Sequence, residues 1–494
     1  MNIVLCLLLT HFYMKKIFTI FFSILVSSFI YGQEQETYTG KFVNMTATDA
    51  AEVYALSENG QWACGAHFAS GDMNQAFYVY GSIWNTQTGE RIYLEEDPAI
   101  PCATYWVNND GTFAAGAHYD QPAYYINGEW HSLLMPRGYG NAVGEVSAVG
   151  FNENGDTIMI GWAYTAATRG TIMRWINGTL DTNFVYRNTV REWEVKAEME
   201  RTRGLSKDAK VYLISLDHCL LPINGGGNLP TTYVMTEDTT IIIERSIKGY
   251  DRISFVSEAE LSRNGKWVVG SIYAVGLLQE DGEGSISFLY EVETDRLQIL
   301  PGREQGMSAM TVDDYGRVLY CRGGGGTPLR KPFVLRDDKF IPLESILLEY
   351  EGITAEQIDA MMTDEVEEAG EDDLGTLYDV SYDGKTILGC GGPAKKYNWV
   401  AHLSHSVHDI AIDPNKVNNT PISYDNLAAL YTQGTIILSG MVDKIEIYDI
   451  NGRIVLTEDV NSAFLPTELN SGVYVVKLYN HQTASIKTSK IIVR

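Results

Sequence analysis

Aromatic and histidine side chains recur at one place in a repeated pattern. Phe68, Tyr119, Tyr164 and Tyr273 each stand three residues beyond a glycine (Gly65, Gly116, Gly161, Gly270), and His67 and His118 precede the first two. Rings repeated at one depth of a fold offer flat faces to a sugar or a peptide. The same recurrence is what stacked units use to hold one another, and both readings stay open. Arg322 opens the run Gly323 to Gly326, with Arg330 close behind. Consecutive N–H groups beside two arginines suit an anion, and a Gly run equally suits a plain loop.

Signatures of catalysis are missing. The chain has no H-E-x-x-H helix and no G-x-S-x-G elbow. Gly384-Lys385-Thr386 imitates the end of a phosphate loop, but Asp379 stands where that loop needs Gly. His402, His405 and His408 are three apart on a strand leaving a domain, a spacing that does not converge ligands on a metal. Glu367, Glu368, Glu371, Asp372 and Asp373 form an acidic insert for which solvated charge is the default over calcium. No catalytic residue, metal site or cofactor is expected. A carboxylate pair for glycoside cleavage is a matter of geometry that spacing does not reveal.

The elements that position these residues are hairpins. A small or polar residue, any residue, Asn or Asp, then Gly recurs with turn positions at Gly60, Gly111, Gly155, Ala209, Gly265, Gly316 and Gly384, 44 to 68 residues apart. Asn-Gly and Asp-Gly predict tight I′ turns with positive φ at both central residues. A second hairpin follows most copies, as at Asn127-Gly128 and Asn177-Gly178. Each unit then holds about four short strands, the content of one propeller blade. The expected fold is all-β: a seven-bladed β-propeller over 33–412, then a linker over 413–425 and a small Ig-like antiparallel β-sandwich over 426–494. The last unit lacks a fourth strand, and Thr37 to Asn44 is expected to supply it and close the ring. The rival architectures are a pair of β-sandwiches or a six-bladed ring, because the fourth copy is degraded.

Address and composition agree with an exported protein. Lys15 and Lys16, an apolar run from Ile17 to Tyr31 and Gly32 form a signal peptide over 1–32, with Met14 as the expected true start. The chain of 494 residues carries 63 Asp+Glu against 37 Lys+Arg, a net −26 that becomes −28 once the signal is removed. That excludes a binder of nucleic-acid backbones or anionic membranes. Five mature cysteines (Cys64, Cys102, Cys219, Cys321, Cys390), irregularly spaced, form neither a disulfide framework nor a zinc site, although one bridge remains open.

Two stretches resemble known families. The repeats over about 45–402 resemble extracellular HAF-type repeat proteins, with their S-x-D-G-x-x-x-x-G unit. Phe340 to Val400 matches best, through Leu343 to Leu348, a helical insert at Thr354 to Met362, and Asp379 to Gly389. The family is tied to no single activity. Ser57 to Trp62 is also similar to the Asp-box of sialidase propellers, one residue short and with Asn for Asp. At the C-terminus, Ile447-Tyr448-Asp449-Ile450-Asn451-Gly452-Arg453, then Leu469 to Leu478, then Lys490 to Val493, resemble the type IX secretion sorting domain of Bacteroidetes-type bacteria. That resemblance implies outer-membrane secretion machinery as partner and a secreted or cell-surface location. The family's Pro-Asn-Pro opening is missing, and Pro414-Asn415-Lys416 is the nearest approach to it. Together these features describe a monomeric binding module for a glycan or protein ligand. The alternative is an extracellular glycoside hydrolase or polysaccharide lyase on the same scaffold.

Overall fold

The computed structural model describes residues 40–45, 51–68, 79–97, 99–136, 142–165, 169–184, 196–220, 228–236, 239–243, 254–274, 286–302, 306–322, 331–336, 339–359, 374–391, 397–410, 420–421, 428–432, 435–439, 442–460, 464–480 and 485–493. The expected signal peptide and the acidic insert at 367–373 lie outside them. Within the described set the architecture is all-β, apart from two short helices, α1 (Leu343–Tyr350) and α2 (Ala355–Asp359).

The repeats fold into successive antiparallel sheets of four strands. We number them in chain order. Sheet 1 is built from Ala51–Leu56, Trp62–Phe68, Val79–Asn85 and Arg91–Tyr93. The first strands of sheets 2 to 7 are Cys102–Val107, Val143–Phe151, Lys196–Leu205, Ser254–Leu261, Met307–Val312 and Thr376–Val380. Sheet 4, from the degraded copy, is complete, because Ala209 adopts the left-handed turn conformation at φ 58° in place of Gly. Sheet 7 takes its fourth strand from Lys41–Asn44, paired antiparallel with Tyr397–His402 (Lys41 opposite His402, Asn44 opposite Trp399).

Apolar faces join each sheet to the next. Ala51, Val53 and Trp84 of sheet 1 pack on Val43, Leu388 and Val400 of sheet 7. Sheets 1 and 2 share Cys64, Ile83, Val107 and Ala114. Sheets 4 and 5 share Leu213, Val234, Val268 and Phe288. Burial of the larger aliphatic and aromatic side chains among them, at roughly 1.5–3 kcal/mol each, is the main favourable term.

The repeat turn differs from the expected I′ type. Gly60 alone has positive φ (70°), and its N–H donates to the Ser57 carbonyl at 2.9 Å. The Ser57 hydroxyl donates to Asn59 Oδ1 (2.9 Å) and accepts from the Trp62 N–H (3.0 Å). The turn is therefore a type I turn followed by one left-handed residue, with the first residue's side chain tying its two ends. Ser206, Ser262 and Ser381 repeat the arrangement. True I′ geometry occurs in the second hairpins, at Asn127-Gly128 and Asn177-Gly178.

The glycine five or six residues later has a different task. A Cβ on Gly65 would lie 2.0 Å from the Glu52 carbonyl oxygen, on Gly116 2.0 Å from that of Ala103, and on Gly161 1.9 Å from that of Glu145. Each of these glycines faces a β-bulge in the preceding first strand. All seven first strands carry such a register shift, at Val53/Ala55, Thr104/Trp106, Val146/Ala148, Thr202/Gly204, Ser257/Glu260, Ala309/Thr311 and Leu377/Asp379. A bulge re-aims the extra side chain.

The C-terminal segment forms two further sheets. One joins Ala428–Thr432, Thr435–Ser439 and Phe464–Pro466; the other joins Ile454–Asp459, Lys444–Asp449, Gly472–Asn480 and Ser485–Val493. Ile436, Leu438, Ile445, Ile447, Val476 and Leu478 fill the space between them. Within the stretch expected as linker, Thr420–Pro421 pairs with Lys339–Phe340 as a fifth strand of sheet 6.

Candidate functional site

The bulges converge on a common cavity. It measures about 220 Å³ and is lined from the first strands of sheets 1 to 5 and 7, with the bulged Tyr54, Tyr105, Ser147 and Tyr378 among its walls. Tyr54 and Tyr105 stack with ring centroids 5.1 Å apart. Tyr54 donates to Glu52 Oε2 at 3.0 Å, and burial, with Tyr105 and Glu52 adding to it, holds its hydroxyl well above the usual tyrosine range.

Charge enters the cavity from the repeat turns. The second turn residue, which the repeat leaves variable, is Glu58 in sheet 1, Lys207 in sheet 4, Arg263 in sheet 5 and Asp314 in sheet 6. Lys207 Nζ reaches Glu58 Oε1 at 3.0 Å and Asp314 Oδ2 at 4.0 Å. Arg263 pairs with Asp379 of sheet 7 and donates to the Leu56 carbonyl of sheet 1 at 3.1 Å. Asp379 also accepts the Leu56 N–H at 2.7 Å. These contacts join sheets far apart in sequence across the turn end of the cavity. Backbone bonds run beside them: Lys207 N–H to Arg263 O (2.8 Å), Asp314 N–H to Tyr382 O (3.1 Å), and Tyr382 N–H to Glu58 O (3.0 Å).

Glu260 completes the group. It accepts from Thr311 Oγ1 at 2.7 Å. Desolvation, with the Asp379 charge next, drives its carboxyl well above the usual range, so Glu260 carries a proton under conditions where an exposed Glu would not. Sequence reasoning missed Glu58, Lys207, Arg263, Glu260 and Asp379. The one available signal was charge at the variable turn position.

The residues singled out from the sequence stand at the opposite end of the sheets, where second strands finish. His118 ends Phe113–His118, Phe68 ends Trp62–Phe68, and Arg322 ends Val318–Arg322. The side chains of His67, Phe68, Tyr164 and Tyr273 lie outside the described residues. His118 stacks on Trp130 (5.2 Å, 6°) and meets the Tyr119 ring edge-on at 4.8 Å. Its Nε2 lies 3.0 Å from Glu95 Oε2. Burial opposes ionisation of Glu95, but the Asp97 N–H and His118 outweigh it and hold the carboxyl below its usual range. Tyr119 is 58% exposed and, with Asp120, forms a two-residue turn at φ 53° and 57°, a conformation that costs energy for residues other than Gly. Arg322 is exposed; Gly323 to Gly326 and Arg330 lie outside the described residues.

The three histidines do not converge. His402 Nε2 lies 2.9 Å from the Thr86 carbonyl, His405 meets Ser404, and His408 is half-buried, its ring pushed down to a pKa of about 3 by desolvation and by Arg317 and Arg336. Gly384-Lys385-Thr386 is one of the repeat turns, with Thr386 buried. Among the described residues no His, Cys, Asp and Glu group could hold a metal ion. Cys64, Cys102, Cys321 and Cys390 are buried free thiols, and burial pushes Cys102 up to about 12.

Comparison with known proteins identifies one segment. Residues 431–494 match the family described as the secretion system C-terminal sorting domain. That domain marks the chain for export by the type IX secretion system, to the cell surface or the medium, and implies engagement of that machinery. No curated protein matches the chain. Among solved structures, oligogalacturonate lyase from Vibrio parahaemolyticus is similar at 10% identity and TM-score 0.46, covering 74% of this chain and 97% of that one. PorZ, a surface component of the type IX secretion system of Porphyromonas gingivalis, is similar at 11% identity and TM-score 0.37, covering 90% of this chain and 59% of that one.

Proposed function

We propose that this chain is a secreted or surface-displayed binding protein. In this reading 1–32 is a signal peptide, 33–412 a seven-bladed propeller of HAF-type repeats, and 426–494 the sorting domain. The observation that carries the reading is the state of the described carboxylates around the axial cavity. Glu58 is held by Lys207, Asp379 by Arg263 and the Leu56 N–H, Asp314 by the Asn264 N–H at 2.7 Å, and Glu260 by Thr311. A general base or nucleophile needs a carboxylate aimed at substrate, and here each is spent on joining sheets. At the opposite end of the sheets, the stacked His118 and Trp130 rings and the exposed Tyr119 are among the groups open to a ligand. A glycan and peptide array on the full secreted chain, with product analysis in parallel, tests this. Saturable binding without cleavage supports it, and cleavage contradicts it.

One observation favours the second reading, a hydrolase or lyase. Desolvation and then the Asp379 charge push the Glu260 carboxyl well above its usual range, the direction a general acid requires. Under that reading Glu260→Gln abolishes cleavage of a polysaccharide substrate; under ours there is no cleavage to abolish.

A further inference from the structure

The binding reading, on which this inference rests, leaves the chemistry of the ligand open. The turn Tyr119-Asp120 narrows it. Both residues hold positive φ, 53° and 57°, a geometry that the turns at Asn127-Gly128 and Asn177-Gly178 reach with Asn and Gly. Tyr and Asp therefore carry a backbone cost that Asn-Gly would avoid. The turn is fixed on both sides. The Tyr119 N–H donates to the Pro101 carbonyl, and the Asp120 carbonyl accepts the Gly144 N–H, each at 2.8 Å. What the strained pair gains is a rigid display. The Tyr119 ring is 58% exposed, and the next residue's carboxylate, Asp120, is exposed too. Before them His118 is held by the Trp130 ring and by Glu95. Asp120 also lines a cavity of about 290 Å³, with Pro101, Ala117 and Val143 among its walls.

These groups discriminate between ligands. An acidic sugar would meet like charge from Asp120 and from Glu96 and Asp97 on the loop that leads to Pro101. A cation gains little from an exposed ring and exposed carboxylates, which water and salt screen. A neutral pyranose uses both groups more fully. Its apolar face covers the Tyr119 ring, and neighbouring hydroxyls donate to the two oxygens of Asp120. A turn that is already rigid loses little freedom on binding. The cavity, at the low end of small-molecule sites, has room for a single sugar residue next to the stacked one. We propose that the Tyr119-Asp120 turn binds a neutral polysaccharide, with one pyranose stacked on Tyr119 and hydrogen-bonded to Asp120.

Calorimetry on the full secreted chain tests the assignment with three neutral probes, maltohexaose, cellohexaose and mannohexaose, beside acidic trigalacturonate and cationic tetralysine. At least one neutral probe should bind, with an affinity that salt leaves unchanged. Tyr119→Asn with Asp120→Gly installs the preferred pair for this turn. It should raise Tm and weaken neutral-glycan binding by about tenfold or more. Asp120→Asn alone keeps the backbone, since Asn tolerates positive φ, and should cost about tenfold. Tyr119→Phe keeps the ring and should bind within about threefold of wild type. Unchanged affinity in the double variant, a double variant with lowered Tm, or no neutral probe bound overturns the proposal. If tetralysine or trigalacturonate binds while the neutral probes do not, the glycan assignment fails and the binding reading stands. If any probe is cleaved, the binding reading itself fails.

Discussion

Replacing Arg263 with Met tests whether the axial ion pairs hold distant sheets together. The substitution keeps the apolar stem and removes the guanidinium. Asp379, its side chain 7% exposed, then keeps only backbone N–H partners for a buried charge. Breaking a buried pair from one side costs about 3–5 kcal/mol. Arg263 is 26% exposed, so the lower end applies, about 3 kcal/mol. Unfolding entropy of about 2.1 cal/mol/K per residue, over the roughly 360 residues from Lys41 to His402, gives about 0.75 kcal/mol/K. The expected fall in Tm is therefore about 4 °C, read by differential scanning calorimetry. Adding Asp379→Asn removes the orphaned charge and should recover more than half of that loss. A fall below about 1 °C for the single variant, or a double variant no more stable than the single, refutes the reasoning.

Four further outcomes follow from the same contacts. The folded Glu260 carboxyl titrates well above its ordinary 4.5, so wild type should lose stability as pH rises from about 4.5 through the folded value, and Glu260→Gln should flatten that slope in urea melts at a series of pH values. His408 titrates near 3 in the fold against an ordinary 6.5, so its contribution is present above 6.5 and lost as pH falls toward 3; His408→Asn should lessen acid sensitivity in that window, measured by circular dichroism. Gly161→Ala drives a Cβ to 1.9 Å from the Glu145 carbonyl oxygen and should destabilise by more than about 3 kcal/mol in denaturant melts, as strain at a special backbone site does. Tyr119→Ala removes a ring that is 58% exposed; it should lower binding of a ligand identified on the array while moving Tm by less than about 1 °C, as surface substitutions do. A larger loss of stability would return Tyr119 to a packing role.

Local chemistry was readable where one residue type meets one geometric need. The turn glycines require positive φ, so their spacing marked the hairpins, and the short alternating strand before Ala51 matched the vacancy beside Tyr397–His402. The turn type was misread because Asn-Gly suits two geometries, and the choice was made by the side chain of the residue before, such as Ser57 bonding Asn59 and the Trp62 N–H. The later glycines hid the most informative feature. Each faces a bulge, and the bulges aim Tyr54, Tyr105, Ser147 and Tyr378 at the cavity. The charged contacts were illegible for another reason: Arg263 and Asp379 are 116 residues apart, and Lys207 and Glu58 149 apart. Nothing local requires such pairs, because they exist only once the sheets surround a common space.

The most direct test of the account is to incubate the purified secreted protein with the extracellular polysaccharides and peptides that it retains on an array, and to follow the mixture by mass spectrometry. The account predicts retained, intact ligand, with Glu260→Gln behaving as wild type. Shortened or unsaturated products that disappear with Glu260→Gln would contradict it and assign the axial cavity to catalysis.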